Sequence, residues 1–252
     1  FSNPLVEPGF LGVSQGAAFG AALSIVVFSA TPIVMQLSAL VFAVAGLWLS
    51  YLLARLFHYG GWILRLILAG IAVSALFSAG IGLLKFAADP MSELPEITFW
   101  LLGGLWNVGW SEVIYLVPPV IISLFILVIY RWKLNVLSLE DRVAHSLGSA
   151  PKRERLLLLF AATLATSAVV SVSGLIGWTG LMIPHAARRL YGTETSKSLP
   201  ASMLLGAIYI LICDNFARTV MNAEIPLGIL TSLIGAFIFL ILMATRRREK
   251  GG

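Results

Sequence analysis

Charged residues are scarce in this sequence. Asp, Glu, Lys and Arg make up 12% of its 252 residues and hydrophobic residues make up 59%, whereas soluble domains carry roughly 25% charged residues. The hydrophobic residues form long runs, such as 34–53 and 66–84, and a helix needs about 20 apolar residues to cross a bilayer. The shortage of charge therefore excludes an ordinary soluble domain and indicates a membrane protein with several spans.

Cysteine and catalytic motifs are also scarce. Cys213 is the only cysteine, so no disulfide can form within the chain. The sequence contains no H-E-x-x-H and no G-x-S-x-G motif, and neither His58 nor His145 has a partner at metal-ligand spacing. It also lacks the Lys-Ser/Thr of a phosphate-binding loop. We therefore expect no catalytic residue, no metal site and no cofactor bound by this chain.

The apolar runs predict an all-α polytopic membrane protein, because they lack the period-two alternation of a transmembrane barrel. Run length and the placement of charges, Pro and Gly predict eight long helices, at 13–29, 33–57, 62–87, 111–132, 154–173, 176–190, 199–220 and 226–245. The first and the sixth are short for a span, and a further short helix is expected at 94–105. Residues 1–252 should form a single transmembrane domain.

Basic residues predict the orientation of the spans. Fifteen of the 17 Lys and Arg residues fall in four segments: 54–65, 131–155, 188–197 and 246–250. The alternate connections carry acidic residues and no Lys or Arg: 29–32, 88–110 and 221–225. By the positive-inside rule, the first group is cytoplasmic. The net charge of +5 is thus attributed to contact with anionic membrane lipid, and no nucleic-acid partner is expected.

Polar groups within the spans are candidates for function, because burial in a membrane is costly. Asp214 and Arg218 are four residues apart, which predicts an ion pair on one helical face. The pair is either structural or leaves Arg218 as a positive contact for an external protein. Gly16 and Gly20 form a G-x-x-x-G motif, and glycines also recur every third residue at 174, 177 and 180. Such small residues predict close packing of helices.

The segment 133–155 is the only sizeable cytoplasmic connection. Within it, residues 137–148 are predicted to form a short amphipathic helix, with Leu139, Val143 and Leu147 on one face and Gly148 as its stop. The segment is a solvated connector, a helix on the membrane surface or a docking site for a protein. Its two acidic residues, 140 and 141, make it a poor partner for anionic lipid.

Several segments together resemble the permeases of the iron-chelate and vitamin B12 import family, the transmembrane subunits of type II ABC importers. Residues 3–16 resemble the family segment NPLAEPGLLGVSNGA, residues 139–148 resemble LGE-x-x-A-x-x-LG, and residues 174–188 resemble GxIGFVGLIVPHIAR. Residues 224–236 resemble ELPVGIVTALIGAP, with Phe237 at the last proline. The segments Leu199-Pro-Ala-Ser and Asp214-x-x-x-Arg218 follow in the expected order.

The resemblance implies a homodimer of permeases around a translocation path, with about eight of the family's ten spans in this chain and about two N-terminal spans missing. It implies two cytoplasmic ATPase subunits, which hold ATP and magnesium and dock on a coupling loop at about 133–153. The coupling residues would be Leu139, Glu140, Asp141, Arg142, Ala144, His145, Leu147 and Gly148. An extracytoplasmic binding protein would dock at Arg218.

The resemblance also suggests roles for other positions. Asn3 and Leu5 correspond to a cytoplasmic gate, and Gly61 and Leu64 lie near a second gate. The family motifs contain residues with structural roles: Gly174, Gly177, Gly180, Pro184, His185, Asp214, Pro226 and Gly228. From the residues alone, His185 is a packed or capping side chain rather than a ligand.

The implied function is import of a metal chelate (ferric siderophore, haem or cobalamin) or an oxyanion such as molybdate. Transport would proceed by alternating access across the cytoplasmic (inner) membrane of a bacterium or archaeon. An ion-coupled secondary transporter is one alternative, although Asp214 is the only carboxylate well inside a predicted span. The other is an intramembrane enzyme that uses His185 with Ser171 or Ser173.

Overall fold

A computed structural model describes residues 7–28, 31–58, 60–106, 108–221 and 223–246 of the chain. Within these ranges all regular secondary structure is helical. A 3₁₀ turn at Pro8–Leu11 is followed by eleven α-helices: α1 (Val13–Phe28), α2 (Pro32–Leu56), α3 (Trp62–Ala87), α4 (Glu93–Leu102), α5 (Trp110–Ile129), α6 (Arg131–Leu137), α7 (Asp141–Ser146), α8 (Pro151–Ser173), α9 (Thr179–Tyr191), α10 (Thr195–Thr219) and α11 (Leu227–Arg246).

Five of these helices are long and apolar enough to cross a membrane: α2, α3, α5, α8 and α10. Two more are apolar but shorter, namely α1 and residues 227–242 of α11. The predicted span at 176–190 needs correction, because α9 begins only at Thr179 and has 13 residues. At 1.5 Å per residue it rises about 20 Å, which is less than the roughly 30 Å of a hydrocarbon core.

The region around the loop at 133–155 also differs from the prediction. The helix expected at 111–132 ends at Ile129, and a separate helix, α6, follows the turn at Tyr130. The amphipathic helix expected at 137–148 is only the six residues of α7. Its start is set by the extended backbone of Glu140 and its end by the left-handed Gly148, whose φ is +80°.

Helices α1 and α2 pack backbone against backbone. A Cβ atom on Gly16 would lie 2.3 Å from the carbonyl oxygen of Phe42, and one on Gly20 would lie 2.4 Å from that of Ser38. The Ser38 hydroxyl donates a 2.7 Å hydrogen bond to the Gly20 carbonyl across the same contact. The close packing predicted from the G-x-x-x-G motif is confirmed.

The 3₁₀ turn wedges between α2 and α3. A Cβ atom on Gly70 would lie 2.0 Å from the carbonyl oxygen of Phe10. The hydroxyl of Ser50 on α2 donates to the carbonyl of Leu11 at 2.9 Å, and that of Ser74 on α3 donates to the carbonyl of Gly9 at 3.0 Å. These bonds satisfy carbonyls that would otherwise be exposed to an apolar environment.

The two predicted groups of connections lie at opposite ends of α8. At its start, Arg55, Arg65, Lys152 and Arg155 line one cavity, which brings the basic segments 54–65 and 131–155 together. At its end, the Ser173 carbonyl accepts a 2.8 Å hydrogen bond from the Gly104 amide in the acidic segment 88–110. This arrangement agrees with the orientation predicted from charge.

Candidate functional site

Helix α7 and the residues that flank it form an uncovered apolar edge. Leu139, Val143 and Leu147 are 45%, 45% and 60% exposed, whereas Ala144 on the other face is fully buried. The Ser149 amide donates to the Ala144 carbonyl at 3.1 Å and the Gly148 amide donates to that of His145 at 3.0 Å, which closes the helix end. The helix therefore presents three apolar side chains outward from a fixed backbone.

Two ion pairs and one hydrogen bond to a backbone carbonyl fix the loop that carries α7. Arg155 at the start of α8 donates to Asp141 Oδ1 at 2.6 Å and to the Leu137 carbonyl at 2.8 Å. Lys133 on α6 pairs with Glu154, whose side chain is only 11% exposed, and this hydrogen bond raises the pKa of Lys133. The loop is thus attached to the first turn of α8.

Asn135 connects the same loop to the C-terminal half of the chain. Its side-chain carbonyl accepts a 2.9 Å hydrogen bond from the Thr195 amide at the first residue of α10. The backbone amides in the first turn of a helix have no partner within that helix, so Asn135 satisfies one of them from α6. Of the remaining predicted coupling residues, Arg142 and His145 are exposed on α7, and Glu140 is exposed just before it.

At the opposite end of the bundle, Arg218 is the centre of an acidic cluster. Its Nε donates to Asp214 Oδ2 at 2.8 Å, its Nη1 lies 3.5 Å from Glu224 Oε1, and its Nη2 lies 3.4 Å from the Leu105 carbonyl oxygen. The ion pair predicted from the i, i+4 spacing is confirmed. The Arg218 side chain remains 42% exposed, so it is accessible to a partner, and its docking role stays a prediction.

Of the four predicted gate residues, two are described. Gly61 is the residue before α3 and Leu64 lies in its first turn, 49% exposed. Both are at the same end of the bundle as α7. Asn3 and Leu5 lie outside the described residues. The gate roles are therefore predictions that rest on the resemblance.

The motif glycines do not share one helical face. Gly174 follows α8 with φ +65°, and a Cβ there would lie 2.2 Å from the Trp100 carbonyl oxygen, so it is a close backbone contact. A Cβ on Gly177 would meet only Ser232 Oγ, at an ordinary 3.6 Å. Gly180 is in the first turn of α9. The three-residue recurrence therefore reflects a connecting segment followed by a helix start.

A backbone junction joins α4, α8 and α11. Gly228 is the second residue of α11, two residues after Pro226, and a Cβ there would lie 2.3 Å from the Leu102 carbonyl oxygen. A Cβ on Gly103 would lie 2.2 Å from the Leu175 carbonyl oxygen. Gly103 has φ +67° and was not predicted as part of this site. Its only sequence signal was the Gly-Gly pair it forms with residue 104.

His185 lies on α9 and packs against α11. Its Nδ1 lies 3.0 Å from Arg188 Nη2, and its ring is 5.7 Å from that of Phe239. The hydroxyls of Ser171 and Ser173 donate to carbonyls of α8 at 2.8 and 3.0 Å. Neither serine hydroxyl is therefore directed to His185 as a nucleophile would be.

A model of the FecCD transport family matches residues 1–245. The chain is 39% identical over 248 residues to the molybdate import system permease protein MolB of Haemophilus influenzae, which covers 98% of this chain and 73% of that protein. It is 38% identical over 256 residues to the hemin transport system permease protein HmuU of Yersinia pestis, with 100% and 76% covered.

The fold also matches a solved structure described as an inward-facing conformation of a metal-chelate type ABC transporter. The TM-score is 0.91 at 39% sequence identity, and the match covers 96% of this chain and 77% of that chain. The family match along nearly the whole sequence, together with relatives of this identity, shows that the chain belongs to the FecCD transport family.

Proposed function

We propose that this chain is the transmembrane permease subunit of an ATP-binding-cassette importer that moves a metal chelate or an oxyanion across the cytoplasmic membrane of a bacterium or archaeon. The observation that carries the proposal is the structural match to the inward-facing metal-chelate transporter over 96% of the chain. The relatives named for molybdate and for hemin define the two substrate classes, because molybdate is an oxyanion and hemin is an iron chelate.

ATP would act through α7. We place ATP and magnesium on separate cytoplasmic subunits that dock on the edge formed by Leu139, Val143 and Leu147. Three apolar side chains exposed in a cytoplasmic loop favour a protein partner, since burying them releases water from apolar surface. Asp141 is held by Arg155, so a displacement of α7 moves the start of α8 with it.

A binding protein would deliver substrate at the other end of the bundle. Arg218 is partly exposed beside Asp214 and Glu224, and an acidic side chain on the binding protein would add a further charge-assisted contact there. Rim contacts of this kind favour correct orientation and fast association more than raw affinity. We therefore assign Arg218 to recognition rather than to transport chemistry.

A second copy of the chain would complete the translocation path. Helix α11 has small residues at four-residue spacing, Gly228, Ser232 and Ala236, and they line an apolar groove with Leu102 and Leu175. Small residues at this spacing allow close approach of membrane helices. Substrate would pass between two such subunits as the dimer alternates between outward-open and inward-open packings. The substrate would bind these two conformations with unequal affinity.

The test uses the complete transporter that contains this chain, reconstituted in liposomes with its ATPase and its binding protein. Uptake of labelled hemin, a ferric siderophore, cobalamin and molybdate is measured with and without ATP. We expect one of them to accumulate only when both ATP and the binding protein are present. Uptake that survives ATP depletion and collapses with an ion gradient would replace this proposal with secondary transport.

A further inference from the structure

A basic cavity lies where the cytoplasmic ends of α2, α3 and α8 meet. It measures about 340 Å³, and its cationic lining consists of Arg55 on α2, Arg65 on α3, and Lys152 and Arg155 on α8. One carboxylate, Asp141, also lines it. Helices α3 and α8 both begin at this end of the bundle, so the positive ends of their dipoles lie there and favour anions.

The positive charge in this cavity is largely uncompensated. Arg155 is occupied by Asp141 and by the Leu137 carbonyl. Within the described part of the chain, Arg55, Arg65 and Lys152 form no ion pair. Arg65 Nη1 donates to the Phe57 carbonyl at 2.6 Å, but its Nε is buried without an acceptor. A buried donor without a partner is costly, so an external anion would stabilise this site.

Two aromatic rings hold the arginines in place. The Arg55 guanidinium lies 5.8 Å from the Tyr51 ring and that of Arg65 lies 5.9 Å from the Trp62 ring. The two rings contact each other edge to face, with centroids 5.4 Å apart. Cation–π contacts of this kind orient the guanidinium groups before a ligand arrives, which lowers the entropic cost of binding.

An apolar groove continues from the basic cavity. It shares Tyr51 with the cavity and is lined by Val44, Trp48, Leu157 and Phe160, with a volume of about 470 Å³. From Arg55 to Val44, α2 rises about 16 Å, close to the roughly 15 Å that half a hydrocarbon core measures. Cavity and groove together form a site that is cationic at the membrane surface and apolar below it.

We propose that this site binds one anionic phospholipid of the cytoplasmic leaflet. Its phosphate would lie against Arg55, Arg65 and Lys152, and an acyl chain would lie along α2 and α8. Charge complementarity selects this occupant, because an apolar transmembrane segment supplies no negative charge for the cavity. Free inorganic phosphate would leave the groove empty. The lipid would also brace the corner where Asp141 joins α7 to α8.

The test is lipid retention by the complete transporter in mild detergent with equal amounts of phosphatidylglycerol and phosphatidylcholine, counted by native mass spectrometry. We expect selective retention of phosphatidylglycerol, and roughly tenfold less of it in Arg55→Gln/Arg65→Gln. The control Arg131→Gln/Lys197→Gln removes the same charge outside the cavity and should retain lipid as the wild type does. Val44→Trp, which fills the groove and keeps every charge, should also lose lipid.

A photo-crosslinking amino acid at position 157 identifies the occupant of the groove directly. A crosslinked mass equal to a phospholipid supports the proposal. A crosslinked peptide, from a second copy or from another segment of the transporter, would overturn it. Equal phosphatidylglycerol retention by the wild type and Arg55→Gln/Arg65→Gln would also overturn it, as would displacement of the lipid by millimolar inorganic phosphate.

Discussion

The long apolar helices of this chain fall into two groups that differ in how much of them is covered. About 44% of the apolar stretch of α8 is buried, with 33% for α2 and 28% for α3, but only 11% for α10 and 6% for α5. Helices α2 and α3 make close backbone contacts at glycine, α2 with α1 and α3 with the 3₁₀ turn, whereas α5 and α10 present Leu, Ile and Phe outward. We infer that the first group forms a rigid frame, whereas the second leaves most of its apolar surface uncovered.

The largest expected effect comes from breaking the frame. Gly70→Ala places a methyl group 2.0 Å from the Phe10 carbonyl oxygen, so α3 and the 3₁₀ turn must separate. We expect a loss of about 3 kcal/mol or more, seen as a lower thermal midpoint and a lower yield of folded protein. Gly82→Ala is the matched control on the same helix, because a Cβ there meets nothing within 4 Å. Equal stability of the two variants would contradict the rigid frame.

A second test addresses α10, one of the two less covered helices. Arg218→Gln removes a partly exposed charge from α10, and we expect the apparent affinity for the binding protein to fall roughly tenfold with little change in stability. Binding-protein-stimulated ATP hydrolysis by the complete transporter measures this affinity. Lys85→Gln is the control, since Lys85 lies in the last turn of α3, at the same end of the bundle as Arg218. A similar loss in both variants would mean that general charge, and not Arg218, attracts the binding protein.

A third test asks whether the loop belongs to the frame. Lys133→Gln leaves the buried Glu154 carboxylate without its cation, and we expect the thermal midpoint to fall by a few degrees. The pKa of Lys133 is raised above its ordinary 10.5, so its stabilising effect is complete below that pH and is lost as pH rises through the raised pKa. The difference between variant and wild type should therefore shrink at strongly alkaline pH. A constant difference would exclude the ion pair as its cause.

The smallest expected effect is at the turn before α4. Asp89 Oδ1 accepts 2.9 Å hydrogen bonds from the Ser92 hydroxyl and from the amides of Met91 and Ser92, and these bonds lower the pKa of Asp89. Asp89→Ala should speed amide hydrogen exchange in 91–94 and leave the rest of α4 unchanged. In the wild type, protection of these amides should be complete at pH values above the ordinary carboxyl pKa. It should be lost only as the pH falls through the lowered pKa of Asp89. Unchanged exchange in the variant would show that the cap is not formed.

Composition and run length predicted most of the fold, because a bilayer imposes helix and sets its length. Helices α2 and α3 begin and end within one residue of prediction, and the G-x-x-x-G contact of Gly16 and Gly20 was also predictable, since its cause is local. The start of α9 was not. The backbone of Trp178 has φ +65°. Tertiary contacts impose this conformation, and the sequence does not predict it.

The candidate site was predictable only where its contacts are local. Spacing alone gave the Asp214–Arg218 pair and the apolar edge of α7. Contacts between distant segments were missed, such as Lys133 with Glu154 and Asn135 with Thr195, 60 residues away. The basic cavity was missed for the same reason, because its residues come from three helices whose ends meet only in the fold.

The most direct test of the central claim, that ATP drives this permease through α7, is uptake by the complete transporter carrying Val143→Ser/Leu147→Ser. Both side chains are exposed, so the thermal midpoint of the isolated permease should not change. We predict that the ATPase subunits no longer co-purify and that ATP-dependent uptake falls about tenfold or more, while Ser146→Ala behaves as the wild type does. Wild-type uptake by the double variant would contradict the claim.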